Sequence, residues 1–244
     1  MNLLLDLGNS QLKWAVYDNT TLITQGKSLP HNALTPKQLT QLWRDLQPAK
    51  IGISCVGKTH LLHCIESVID NLWGDTVLRF HAQTQAHAFD VQNGYFQPEK
   101  LGVDRWLALI AARQKTQTHT CIVDCGTAIT VDILNAQGQH EGGLICAGLK
   151  LMQNALACHT ADLPFSSQAS PIGLAKETTA AIYSGTVFAA CGLIERVMAM
   201  QPENTILFLT GGDAPLIAPQ LNYPCTIETA LVLQGLAFAL ELSQ

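Results

Sequence analysis

The opening of the chain, LLLDLGNSQLKWAVYD from Leu3, returns in outline as TCIVDCGTAITVDILN from Thr120. Asp6 and Gly8 of the first segment correspond to Asp124 and Gly126 of the second, 118 residues further on in both cases (124 − 6 and 126 − 8). In each copy an apolar run ends in Asp-x-Gly and small polar residues, and an alternating run follows. That is the pattern of a strand, a tight turn and an antiparallel return strand. A hairpin repeated at the head of each half predicts two α/β lobes of like construction, with mixed sheets flanked by helices. The N-terminal lobe is expected over residues 1–115 and the C-terminal lobe over 116–244.

Helical spacing is expected over residues 39–46, 61–73, 105–115, 178–200 and 228–242, and short buried strands over 51–56 and 205–209. The Pro- and Ser-containing segment Leu163–Ile172 reads as a loop. With 48% hydrophobic residues in 244, each lobe has the material for a core. Fourteen Lys and Arg against 19 Asp and Glu leave a net charge of −5 and no dense basic cluster, which argues against a nucleic-acid partner. Asp6 and Lys13 interrupt the first apolar stretch, so no secretory leader is expected, and no run of 18 apolar residues predicts a membrane span. The eight cysteines contain no Cys-x-x-Cys. Reduced thiols in a cytoplasm are the plain reading.

Two Asp-x-Gly tips brought face to face would wall a cleft suited to a Mg-nucleotide. Glycine lets the backbone turn sharply and approach phosphate oxygens with no Cβ in the way. Asn9, Ser10 and Thr127 can donate hydrogen bonds there, and Lys13 adds a positive charge. Asp6 and Asp124, as anions, suit cations or the waters of cations. Each tip alone is equally an ordinary turn, because Asp bonds local backbone and Gly supplies positive φ. P-loop and dinucleotide-binding glycine patterns are missing. Thr210-Gly211-Gly212-Asp213, after a strand, offers bare backbone to a base or ribose, or is a simple turn.

Asp104, in Leu101-Gly102-Val103-Asp104-Arg105-Trp106, has two readings. It is either the N-cap of the following helix or the acceptor of a hydroxyl proton in phosphoryl transfer. In the second reading Arg105, whose planar fork matches a carboxylate, grips an anionic group on the same substrate. His60, His63 and Cys64 read as an ordinary helix face rather than a zinc site. Gly185, Ala189, Ala190 and Gly192 would let another helix approach closely, within the chain or from a second subunit.

The ordered set Asp6-Leu-Gly8-Asn9-Ser10 with Lys13, Gly102-Val-Asp104-Arg105, Asp124-Cys-Gly126-Thr127-Ala128, and Gly142-Gly143 with Gly148 resembles the type III pantothenate kinases. The resemblance implies tandem ribonuclease H-like lobes, the duplication of the actin, sugar kinase and chaperone ATPase superfamily. It implies ATP-dependent phosphorylation of pantothenate, the first step of coenzyme A biosynthesis, in a cytoplasmic homodimer using Mg2+ and a monovalent cation, K+ or NH4+. By the same resemblance Asp6, Leu7, Gly8, Asn9, Ser10, Gln11, Leu12, Lys13 and Thr127 would contact ATP, with Asp6 serving magnesium through water. Asp104 would accept the proton. Tyr95, Gly102, Val103, Asp104, Arg105 and Thr178 would line the pantothenate pocket, with Thr179 the near rival of Thr178. Asp124 would hold the monovalent cation. One departure is Ala147, where the family usually has Pro, which removes a fixed φ before Gly148. A same-fold kinase for a sugar or acetate, and a regulatory ATPase that phosphorylates no metabolite, are the alternatives.

Overall fold

A computed structural model describes residues 1–57, 59–159 and 170–242. Most of the expected loop Leu163–Ile172 lies outside the described residues. In chain order the elements are β1 (Asn2–Leu7), β2 (Gln11–Asp18), β3 (Thr21–Gln25), β4 (Leu29–Pro30), α1 (Pro36–Trp43), β5 (Lys50–Cys55), α2 (Thr59–Trp73), β6 (Leu78–His81), β7 (His87–Ala88), β8 (Val91–Gln92) and α3 (Val103–Lys115). There follow β9 (Thr120–Cys125), β10 (Ala128–Leu134), β11 (His140–Ala147), α4 (Leu149–His159), α5 (Thr178–Met198), β12 (Ile206–Thr210), α6 (Ala214–Ile217), β13 (Cys225–Ile227) and α7 (Leu231–Leu242).

The chain divides into two compact units, Met1–Thr116 with Ala230–Gln244, and Gln117–Thr229. The division after Thr116 falls beside the expected boundary, but the last helix does not stay with the second lobe. α7 packs on α3, β1 and β5 of the first. Its sequence is apolar nearly all round, and Leu231, Val232, Leu233, Leu236, Ala237, Ala239 and Leu240 are buried. Such a helix must be covered on most sides, and the first lobe covers it.

The sheets repeat one topology. The first runs β3-β2-β1-β5-β6, with β4 added beside β2, and the second runs β11-β10-β9-β12-β13. In each, an antiparallel meander of three strands is extended by two parallel strands. Hence the duplicated hairpins, β1–β2 and β9–β10, sit at the same place in each sheet.

The first core joins Leu3, Leu5, Leu7, Leu12, Trp14 and Val16 of the hairpin to Leu39 and Trp43 of α1 and to Ile65, Val68 and Ile69 of α2. The Trp14 and Trp43 rings meet edge to face, centroids 6.4 Å apart, a geometry that aromatic quadrupoles favour. In the second core, Cys121, Val123, Cys125, Ile129 and Val131 meet Val187, Cys191 and Ile194 of α5. α5 has 21 residues and is long and apolar enough to cross a membrane by length and composition alone, although no 18 consecutive residues of it are apolar. Of its most apolar stretch 44% is buried, with Val187, Cys191 and Ile194 in the second core. All eight cysteines are free. Burial, helped by the charge of Asp132, pushes the Cys121 thiol up to about 12, so it behaves as a core side chain.

Candidate active site

Asp6 is the penultimate residue of β1 and is almost fully buried, at 4% exposure. Across the hairpin its register partner is Lys13, and on the other side it is Ser54 of β5. The Ser54 hydroxyl donates to Asp6 Oδ1 at 3.1 Å. The turn closes through Gly8 N–H to Gln11 O at 3.1 Å, leaving Asn9 and Ser10 exposed at the tip. His31 N–H bonds Ser10 O at 3.1 Å, and the amides of Val56 and Gly57 both reach Leu7 O, at 3.1 and 3.0 Å.

The second tip is built alike. Asp124 is the penultimate residue of β9, paired with Thr130 across the hairpin and with buried Thr210 of β12 on the parallel side. Gly126 N–H bonds Ala128 O at 3.1 Å, and Thr127 is exposed. Two glycines press on this tip. Gly148, bonded through its N–H to Thr127 O at 3.0 Å, leaves no space for a Cβ beside Gly126 O. Gly211, at φ +90°, has its missing Cβ where Asp124 Oδ1 and the Cys125 backbone lie. Asp213 N–H then bonds Cys125 O at 2.9 Å. Half-burial raises the Asp213 carboxyl above the usual range, and the charge of Lys150 opposes the shift. Burial also pushes the Cys125 thiol up, and Asp124 and Asp213 add to the effect.

The third constellation lies at the start of α3. The helix begins at Val103, two residues before the expected Arg105, and its N-cap is Gly102, with no side-chain cap. Asp104 therefore stands in the first turn rather than at the cap, and the capping reading fails. Its Oδ1 accepts from Arg105 N–H at 2.8 Å. Arg105 is buried, at 6% exposure. Its Nη1 donates to the Tyr95 hydroxyl at 2.7 Å, and its guanidinium carbon lies 5.5 Å from the Tyr95 ring centroid.

The loop bearing Tyr95 is fixed from both ends. Asn93 is buried; its amide donates to Gln85 O and Pro98 O, both at 3.2 Å, and its Oδ1 accepts from Tyr95 N–H at 3.0 Å. Before it, β7 and β8 join through Phe89 and Asp90, both at positive φ (54° and 60°). Arg113 of α3 holds that turn through two contacts to Asp90 Oδ2, at 2.7 and 2.6 Å.

The profile of the type III pantothenate kinases matches residues 2–200. The chain belongs to this family. The type III pantothenate kinase of Nitrosococcus oceani is 36% identical, over 97% of this chain and 92% of its own length. That of Halorhodospira halophila is 37% identical, over 97% and 96%. Among solved structures, a conserved Baf family protein from Campylobacter jejuni superposes with a TM-score of 0.59 at 21% identity, covering 96% of this chain and 94% of that one. The ethanolamine utilization protein EutJ from Carboxydothermus hydrogenoformans superposes at 0.55 with 12% identity, over 97% and 88%. At those identities the likeness shows the fold, two ribonuclease H-like lobes in tandem.

Within this type III pantothenate kinase, sequence reasoning singled out the two tips, Asp104 and Arg105, and the resemblance added Tyr95, but the bond between Arg105 and Tyr95 was not foreseen. Sequence reasoning passed over Ser54, Gly57 and Asn93, single polar or small residues in segments read only for their apolar spacing. The register of β5 against β1 is the signal that would have found Ser54. Thr178 opens α5 as an exposed residue, and Thr179 is partly buried.

Proposed function

We propose that Asp104 is the proton acceptor with which this type III pantothenate kinase moves the γ-phosphoryl group of ATP onto the hydroxyl of pantothenate. That reaction, giving 4'-phosphopantothenate, is the first step of coenzyme A biosynthesis. The observation that carries the role is the placement of Asp104 in the first turn of α3, beside Arg105 and outside the capping position. An Asp is a weak base toward an alcohol. In a loose phosphoryl-transfer transition state the proton leaves late, so the carboxylate acts mainly by orienting the hydroxyl. The Arg105 N–H bond to Oδ1 supports that orientation. Arg105, set by Tyr95, presents a planar cation to the substrate carboxylate. Thr178 is the further acceptor-side residue.

ATP binds along Asp6, Leu7, Gly8, Asn9, Ser10, Gln11, Leu12 and Lys13 and at Thr127 in this reading. The exposed tips with their backbone amides suit phosphate oxygens. Mg2+ would be served by Asp6, whose buried carboxylate already meets a hydroxyl donor. The monovalent cation would be held at Asp124, where the missing side chain of Gly211 leaves the room that Oδ1 occupies. These ions supply positive charge against the triphosphate. The chain acts as a cytoplasmic homodimer, supported by its free cysteines and by an exposed small-residue face on α5.

The test is ADP release by purified protein at saturating Mg-ATP and potassium, with and without pantothenate. Pantothenate should raise the rate severalfold or more, and an unchanged rate would refute the reading. Asp104→Asn should lower kcat by about 10²- to 10⁴-fold, the usual worth of a positioned acid–base group. ATP affinity by calorimetry should stay near that of the parent, and its collapse would make Asp104 structural.

A further inference from the structure

Asp6 is a buried carboxylate at the end of a strand, and a neighbouring strand, not only its own hairpin, decides where its oxygens point. Ser54 is fully buried on β5, directly opposite Asp6 in the parallel register, and donates its hydroxyl to Oδ1 at 3.1 Å. The chain leaving β5 then lies on the hairpin tip. Val56 and Gly57 both donate to Leu7 O, and a Cβ at Gly57 would stand 2.6 Å from Gly8 O. Residues 54–57 thus form a brace behind the first tip, in contact with it through one side chain, two amides and one tight backbone approach.

We propose that Ser54 is a positioning residue for phosphoryl transfer, fixing the Asp6 carboxylate in the orientation that serves the magnesium of the bound nucleotide. The proposal rests on the reading of Asp6 given above. A buried carboxylate deprived of one donor turns toward its remaining partners or draws in water, and both outcomes move the oxygens that meet the cation shell. Loss of Ser54 should therefore appear in magnesium-dependent nucleotide binding and not in the acceptor site. A hydroxyl that only satisfied its own hydrogen-bonding need would alter stability alone.

The experiment is calorimetric titration with a non-hydrolysable ATP analogue over a series of Mg2+ concentrations. It compares the parent, Ser54→Ala, Ser54→Cys and Asp6→Asn, each checked for folding by thermal unfolding. Ser54→Ala should raise the half-saturating Mg2+ concentration about tenfold, the scale of a hydrogen bond to a charged group. Ser54→Cys, nearly isosteric and a weaker donor, should fall between Ser54→Ala and the parent, with the KM for pantothenate unchanged in both. If Ser54→Ala does not fold, the Cys variant carries the comparison. A magnesium dependence that stays at the parent value in the Ser54 variants while Asp6→Asn loses it overturns the positioning role alone. If Asp6→Asn itself retains the parent dependence, the reading of Asp6 falls and this proposal with it.

Discussion

Gly102 leaves room for a neighbouring carboxylate at a position where the fold itself does not call for glycine. Its backbone, φ −58° and ψ 134°, is one that any residue adopts, so glycine is not needed there for conformation. A Cβ at this position would lie 2.6 Å from Asp104 Oδ1. The obstacle is the end of a movable side chain, so Gly102→Ala should fold normally and displace the carboxylate. Misplacing a reacting group by about an ångström costs about a hundredfold in rate. We expect kcat to fall by about that factor with the melting temperature unchanged, by steady-state kinetics and calorimetry. Parent-level kcat would show that Asp104 does not need its present position. At this scale the sequence revealed residue types but not their contacts. Asp104 beside Arg105 was legible as a pair, whereas its competing capping role was settled only by where the helix starts. Ser54 and Asn93 left no trace, because a lone polar residue has no periodicity and its meaning lies wholly in its partners.

Among the elements, the hairpins and long helices were legible because both faces or one continuous stripe of each is apolar. Edge strands were not. All five residues of β3 are exposed, so no buried side imposes alternation on them, and β6, β11 and β13 were likewise passed over. Contacts between helices were also hidden, and Gly235 is the sharpest case. On α7, its missing Cβ would coincide with the carbonyl oxygen of Leu107 on α3. Two effects of Gly235→Ala compete. Replacing Gly inside a helix gains about 1 kcal/mol from propensity, while overpacking a close contact costs about 1–3 kcal/mol. Here the obstacle is backbone, which cannot rotate away, so the cost prevails. Gly235→Ala should lower the urea midpoint without changing the slope of the transition. A raised midpoint would show that the two helices are free to separate.

For the whole chain, the duplicated hairpin was enough to predict two lobes, and the shared strand order bears that out. The return of α7 to the first lobe was not predictable, since an apolar helix signals that it is covered but not by what. α5 poses the opposite problem. Ala181, Gly185, Phe188, Ala189 and Gly192 recur every three or four residues on one exposed face, while Ala190 turns inward. Phe188 is 49% exposed, and a Cβ at Gly185 or Gly192 would meet nothing within 4 Å among the described residues. Each glycine costs the helix about 1 kcal/mol relative to Ala, and among the described residues no close neighbour requires it, in contrast to Gly235. A second copy laid along this face would account for both glycines and the aromatic ring between them. The two possibilities have opposite signs for the double substitution Gly185→Leu, Gly192→Leu. In a monomer the leucines enter open space and strengthen the helix, so the protein is stabilised and its mass stays that of one chain, 26.4 kDa. In a homodimer packed through α5 they hold the helices apart. We expect light scattering to give twice the chain mass for the parent and a single-chain mass for the variant. A parent of single-chain mass, or a variant that stays paired, would remove α5 as the interface.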